Sequence, residues 1–212
     1  MTSQELYDNF LLQFDVNGSF AAAGFTEDEI YMFLTKAQLN VIDMIQQAGR
    51  NNELSELIIS NRFTTVAMTP VFSDAKNVRI TNDEVKYYKV LTASASVYRA
   101  QNNNILESLS TYSIIPLKEI DISVVDKLLV SDFNKPIYEW INYFPYNNKI
   151  CIVHDSYVDK VFFINITYIS LPEDITDTVT ASLNDKFHKE IINEAVKLAL
   201  ISIADQRITQ QK

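Results

Sequence analysis

The stretch FTEDEIYMFLTKAQLNVIDMIQQA, Phe25 to Ala48, carries a cap, a staple and an apolar period that agree on one long helix. Thr26 and Glu29 have the spacing of a capping box, and Phe25 and Ile30 stand where a hydrophobic staple closes over it. Ile30, Phe33, Leu34, Ala37, Val41, Met44, Ile45 and Ala48 then recur at three and four residues, an apolar stripe of about six turns. Gly49 supplies the stop. A stripe of this length needs a partner, and the other strongly helical run, Leu183 to Arg207, offers Leu183, Phe187, Ile191, Ala195 and Leu198 along one face. Leu6, Phe10 and Phe14 predict a further helix over Ser3 to Phe14, and Asn51 is placed to cap a short one running to Ser60.

Between these helices the texture changes. Phe63 to Val71 is rich in strand-forming residues, with Pro70 limiting any strand to an edge or an end. Val85 to Arg99 alternates with period two, and Ser110 to Asp121 holds an Ile-rich strand candidate interrupted by Pro116. Ser123 to Val130 reads as a short helix and Ser131 to Pro136 as a turn. Ile137–Phe144, Lys149–His154 and Val161–Tyr168 are apolar runs separated by turn residues, which predicts a three-stranded antiparallel meander. Asn147 and Asn148, in its first turn, tolerate positive φ. The expected fold class is therefore α+β: a helical bundle formed by the N- and C-terminal helices with an inserted antiparallel β-rich region. Residues 1–62 and 173–212 make the helical core and residues 63–172 the insertion, whose open strand edges invite another chain.

Composition bounds the function. A chain of 212 residues can bury a core without a disulfide or metal, and its single cysteine excludes an intrachain disulfide. Only three glycines occur, which disfavours a Gly-rich nucleotide loop. The net charge of −9, with no basic cluster, disfavours tight binding of nucleic acid, while an acidic surface lets a polyanion pass without gripping it. No apolar run approaches a membrane span and no leader is read at the N-terminus, so a soluble chain, intracellular during synthesis, is expected.

Candidate chemistry is sparse. Cys151 and His154, with Asp155 and Asp159 nearby, do not make a closed zinc ligand set, and their three-residue spacing turns them to opposite faces of a strand. Cys151 reads as a packed strand residue. His188-Lys189-Glu190 lacks the second histidine of a zinc-protease motif. Glu27, Asp28 and Glu29 lie in a first helical turn, where the helix dipole favours negative charge. Tyr87, Tyr88 and Tyr98 with Arg99 could stack bases, but no basic surround accompanies them. No catalytic, cofactor-binding or metal-binding residue is assigned, and two histidines with one cysteine supply no nucleophile, base and orienting partner for a hydrolase.

The order of short segments resembles the head-to-tail connector proteins, adaptor or ring, of tailed bacteriophages of the crAss-like group. The segments are Gly24-Phe25-Thr26-Glu27-Asp28-Glu29-Ile30 with Ala37-Gln38, Ser131-Asp132-Phe133-Asn134-Lys135-Pro136, Leu171-Pro172-Glu173, and His188-Lys189-Glu190-Ile191-Ile192-Asn193-Glu194-Ala195-Val196. The resemblance implies a non-enzymatic structural virion protein at the neck, in the host cytoplasm during assembly. It implies partners too: other copies of itself in a cyclic ring of about twelve, a portal protein, other connector or tail proteins, and DNA passing through the channel without sequence-specific binding. The strand edges of Val85–Arg99 and Val161–Tyr168, and the tail Arg207–Lys212, are the expected contact elements. The alternative is a virion-associated or host-directed module that binds a protein or glycan through the β-rich region.

Overall fold

The computed structural model describes residues 1–17, 24–67, 78–99, 113–130, 141–154 and 158–210. They divide into two compact units, Met1–Ile58 with Leu171–Lys212, and Ile59–Ser170. The expected turn Ser131–Pro136 lies outside the described residues, as do Gln211 and Lys212. No helix among the described residues is long and apolar enough to cross a membrane.

In the first unit, α1 (Ser3–Asn17), α2 (Glu27–Gln47) and α4 (His188–Gln210) are the long helices, and α4 packs against both others. The start of α2 is the capping box read from sequence. Thr26 Oγ1 accepts from the Glu29 amide, while the Glu29 carboxylate accepts from the Thr26 amide at 2.8 Å. Phe25 sets its ring against Phe33 and Phe14, at centroid distances of 5.0 and 5.5 Å, and Phe14 stacks on Phe10. Leu6, Leu34, Ala37, Val41, Ile191, Ala195 and Ala199 are fully buried. The short helix expected over Asn51–Ser60 is a single 3-10 turn, Asn51–Leu54, with no side-chain cap. The β-branched pair Ile58-Ile59 instead opens a strand.

The second unit corrects the expected fold class. It is not an open antiparallel sheet inserted into a helical bundle. It is a closed seven-stranded barrel, and the fold is centred on that sheet. The strands are β1 (Ile58–Ala67), β2 (Val78–Thr81), β3 (Tyr87–Arg99), β4 (Ser113–Glu119), β5 (Ile141–Tyr146), β6 (Lys149–Val153) and β7 (Val158–Ser170), with the short helix α3 (Val125–Val130) between β4 and β5. Their order around the barrel is β1-β2-β6-β5-β4-β3-β7. The expected meander holds only for the β5–β6 hairpin, because β6 turns its other edge to β2, and β7 pairs along its length with β3. Both elements offered as free edges, in β3 and β7, have neighbours on each side, so the edge contacts expected of them are withdrawn.

Closure has visible causes. The β3–β7 ladder is interrupted by register shifts at Tyr87/Lys89, Val90/Thr92, Ser96/Val97 and Tyr98/Arg99, and such bulges add the local twist and bend that a barrel needs. β4 pairs with β3 through Ser113–Pro116 and then runs parallel to β5 through Leu117–Glu119, so Pro116, which lacks an N–H, sits where one pairing hands over to the other. Across the β1–β7 seam, Ser60 bonds Thr167 at 2.9 Å, Arg62 donates to Asn165 at 3.1 Å and lies over the Phe163 ring, and Thr65 donates to the Val161 carbonyl at 3.0 Å.

The barrel core contains Phe63, Ala95, Val97, Ile115, Ile141, Tyr143, Ile150, Ile152, Val161, Ile164 and Ile166. The alternate residues of β6, Cys151 and Val153, join Val78, Phe144 and Val125 of α3 in a second cluster. Both faces of β6 are thus covered, which is why its sequence is a continuous apolar run.

Candidate functional sites: an acidic groove and two apolar surfaces

The loop after β7 returns over the helical unit, and polar side chains stitch it down. Thr35 Oγ1 accepts from the Ile175 amide at 2.9 Å. Gln38, fully buried in α2, accepts from the Ser182 amide at 2.6 Å and donates to the Glu173 carbonyl at 3.3 Å. Ser3 Oγ donates to the Asp177 carbonyl at 2.6 Å. Each bond satisfies a main-chain group that the loop would otherwise leave bare.

The result is an open groove of about 610 Å³ between the first turns of α2 and the segment Asp174–Asp177. Glu27 and Asp28 stand on one wall and Asp174 and Asp177 on the other, with Lys36 the one cation among the lining residues, Met32 an exposed apolar side chain and Ile175 a buried one. The helix dipole supports the anionic charge at Glu27 and Asp28.

Tyr31 also lines the groove. Its side chain is 6% exposed, its ring lies 5.7 Å from that of Tyr7, and its hydroxyl has no hydrogen-bond partner among the described residues. Burial, and then the carboxylates of Glu27 and Asp177, push its pKa above the usual phenol value, so it remains a neutral O–H group. A buried polar group without a partner costs about 1–3 kcal/mol.

The sequence candidates fall out as follows. Glu29 is absorbed by the capping box, whereas Glu27 and Asp28 face the groove. Cys151 is fully buried, and desolvation pushes its thiol up to about 12, the nearby Lys149 opposing only in part. A thiol so held is no nucleophile at neutral pH. His154 lies just past β6 and is buried; Asp155 is outside the described residues and Asp159 falls within β7. His188 is a brace, its Nε2 3.0 Å from the Leu183 carbonyl and its Nδ1 3.4 Å from Asp185, which also meets the amino group of Met1 at 2.9 Å. Glu190 is exposed in the first turn of α4.

Tyr87 packs partly buried against the barrel core. Burial and then Glu119 raise its pKa. Tyr143 likewise has a raised pKa, from burial and from Glu119, to which it donates at 3.1 Å. Tyr88 is half-buried in β3, and the side chains of Tyr98 and Arg99 lie outside the described set. Tyr31 was missed in sequence because it looks like any residue of an amphipathic helix, and the wall that gives it meaning comes from a segment some 140 positions away.

Several large apolar side chains stand exposed, among them Met44, Leu171 and Ile201. On α1, Leu12 and Val16, one turn apart on the same face, are 66% and 85% exposed. On the barrel, Ile114 of β4 is 71% exposed, and Ile122 and Val124 are exposed in the 3-10 turn that follows.

Among the described residues no group of three or more His, Cys, Asp or Glu side chains could hold a metal ion. No protein-family model matches the chain, and a search of curated proteins finds no match to it either.

Proposed function

We propose that the chain is a structural virion subunit, a head-to-tail connector that assembles as a ring around a DNA channel beneath a portal protein. The observation that carries the reading is that large apolar side chains stand exposed on both units, Leu12 and Val16 on the helical unit and Ile114 on the barrel unit. A cyclic ring requires a heterologous interface in which one patch on a subunit meets a different patch on its neighbour. Exposed apolar side chains on each of two units of one chain are what such an interface uses.

The acidic balance agrees with a ring whose lumen passes DNA without holding it. In this reading the ring grows by burial of side chains standing on already paired elements, not by strand addition. The Asn147–Asn148 turn, Pro116 and the closed pairing order then act to keep the barrel from recruiting extra strands.

The test is the mass of the purified chain by light scattering, alone and mixed with the portal protein of the same particle. The expected outcome is a closed oligomer, or one that forms on the portal. Val16→Glu and Ile114→Glu should each return it to smaller species while the circular dichroism is unchanged. A chain that stays monomeric with the portal present, or whose assembly ignores both substitutions, overturns the proposal.

A further inference from the structure

We propose that the outer face of β1, β7 and β3 is a contact site for the phosphodiester backbone of a nucleic acid strand, one phosphate to each Arg62. A groove of about 320 Å³ lies over these three strands. Thr92 and Ser94 of β3 stand opposite Thr167 and Asn165 of β7 in the pairing register, and Ser60 and Arg62 of β1 bond the same two β7 residues from the other side. The alternate residues Ala95 and Ile164 belong to the barrel core, so this grid faces outward. It sets short polar side chains around a single guanidinium. No carboxylate is among the lining residues, in a chain whose net charge is −9.

The guanidinium is held in place before any ligand arrives. Its Nε donates to the Asn165 side-chain oxygen at 3.1 Å, and its central carbon lies 5.2 Å from the centroid of the Phe163 ring. The two terminal nitrogens keep their N–H groups for a ligand. Asn165, its oxygen engaged, keeps its amide N–H groups as donors too. Of the two hydroxyl protons of Ser60 and Thr167, one closes the 2.9 Å bond between them and the other remains to be given. With Thr92 exposed beside them, the face is rich in donors and holds no anion that competes for them.

The chemistry selects among oxyanions. One guanidinium neutralises one charge, which is what a phosphodiester carries, whereas a phosphate monoester brings nearly two. A planar carboxylate is met in full by the guanidinium fork alone. The oxygens of a phosphodiester point in several directions and can take donors from neighbouring strands, set about 4.8 Å apart. A single cation per subunit in an open groove makes the contact weak and sensitive to salt, which suits a strand that moves. The connector reading supplies only the source of that strand; the site itself belongs to the barrel of one chain.

The test uses the full chain and a thymidine octamer, with amide chemical shifts as readout. Titration should move the amide signals of Arg62, Ser94 and Asn165 to saturation, and the same octamer with uncharged methylphosphonate linkages should not. Binding should fall with salt at a log–log slope of about −0.7, the counterion release of one phosphate on a single strand. Arg62→Gln, at an exposed position, should weaken the octamer roughly tenfold, the scale of hydrogen bonds to a charged group. Thr92→Ala tests the same face should loss of Arg62 loosen the seam, and should weaken binding by about threefold. Light scattering of Arg62→Gln should match the parent chain, so failure of this site and failure of the connector reading are read separately. The proposal is overturned by shifts that never saturate, by an equal response to the uncharged octamer, or by indifference to both substitutions. It is overturned equally by inorganic phosphate or glucuronate binding more tightly than the octamer, or by Arg62→Gln abolishing assembly, which would make this face a contact between copies.

Discussion

The cap of α2 closes across three positions, from Thr26 to Glu29, whereas the seam of the barrel closes across 96, from Thr65 to Val161. The first is settled by residues that meet as soon as the helix turns once. The second waits until most of the barrel has been laid down, and the entropy of bringing distant strands together is lost before any contact rewards it. The cap of α2 is therefore a local device, although the helical unit as a whole closes at long range through α4, whereas the barrel depends on mutual consistency among seven strands. Damage to a local signal such as the cap should accordingly stay near its origin, while damage to a strand should spread around the ring of pairings in the barrel.

The sharpest way to break that contrast is to cut one core side chain in each unit. Ile164 and Leu34 are both fully buried, so Ile164→Ala and Leu34→Ala should each cost about 2–5 kcal/mol. Cys151, silent in the folded barrel, reports on its opening. Ile164→Ala should raise the rate of thiol labelling by roughly thirtyfold or more, since 1.4 kcal/mol is a factor of ten. Leu34→Ala should instead speed hydrogen exchange of α2 amides. Equal labelling of Cys151 in both variants would erase the distinction between the opening of one unit and that of the other.

A smaller effect comes from the same thiol. Its folded pKa of about 12 lies above the value near 8.5 of an unfolded cysteine, so the unfolded chain ionises first as pH rises. The stabilisation is complete below the unfolded value and is lost on going upward. Between pH 8.5 and pH 10 the loss should be on the order of 2 kcal/mol. Urea titrations at both pH values measure it, and Cys151→Ala should remove that part of the slope. A slope identical in the two proteins would mean that the cysteine is not desolvated.

What the amino acids disclose in advance follows the same division. The cap, the stop and the stripe of α2 could be read because each depends on neighbours three or four residues away. The pairing of β6 with β2 could not, because β2 is only four residues long and its register is fixed by the strands it joins. The run Ile137–Phe144, Lys149–His154, Val161–Tyr168 looks like a meander from turn spacing alone, yet β7 lies between β3, some seventy positions earlier, and β1, and not beside β6. The groove is half legible for the same reason. Glu27 and Asp28 announce themselves as a first-turn acidic cluster, but the opposing wall and the idle hydroxyl of Tyr31 exist only once the loop has folded back.

Two local features, one in each unit, let the contrast be sharpened at the scale of about 1 kcal/mol. Thr26→Ala removes the acceptor for the Glu29 amide and should cost about 0.5–2 kcal/mol, with exchange rising only in the first turns of α2. The barrel's nearest equivalent is the β5–β6 turn, where Asn147 and Asn148 adopt φ of 47° and 57°. That pair of left-handed residues gives the turn a twist matching that of its strands, and asparagine accepts it more readily than most side chains. Asn148→Ala should therefore cost about 1 kcal/mol, and Asn148→Gly should stay within about 0.5 kcal/mol, the relief of strain offsetting the added freedom of the unfolded chain. The Asn148 carbonyl also accepts from the Val85 amide at 2.6 Å, so the turn is tied to the segment leading into β3. Loss of the preferred turn geometry should then loosen amides around Val85 as well as in the hairpin, whereas the cap substitution leaves α4 untouched. Exchange confined to residues 146–149 in Asn148→Ala would show that even the barrel tolerates a purely local defect.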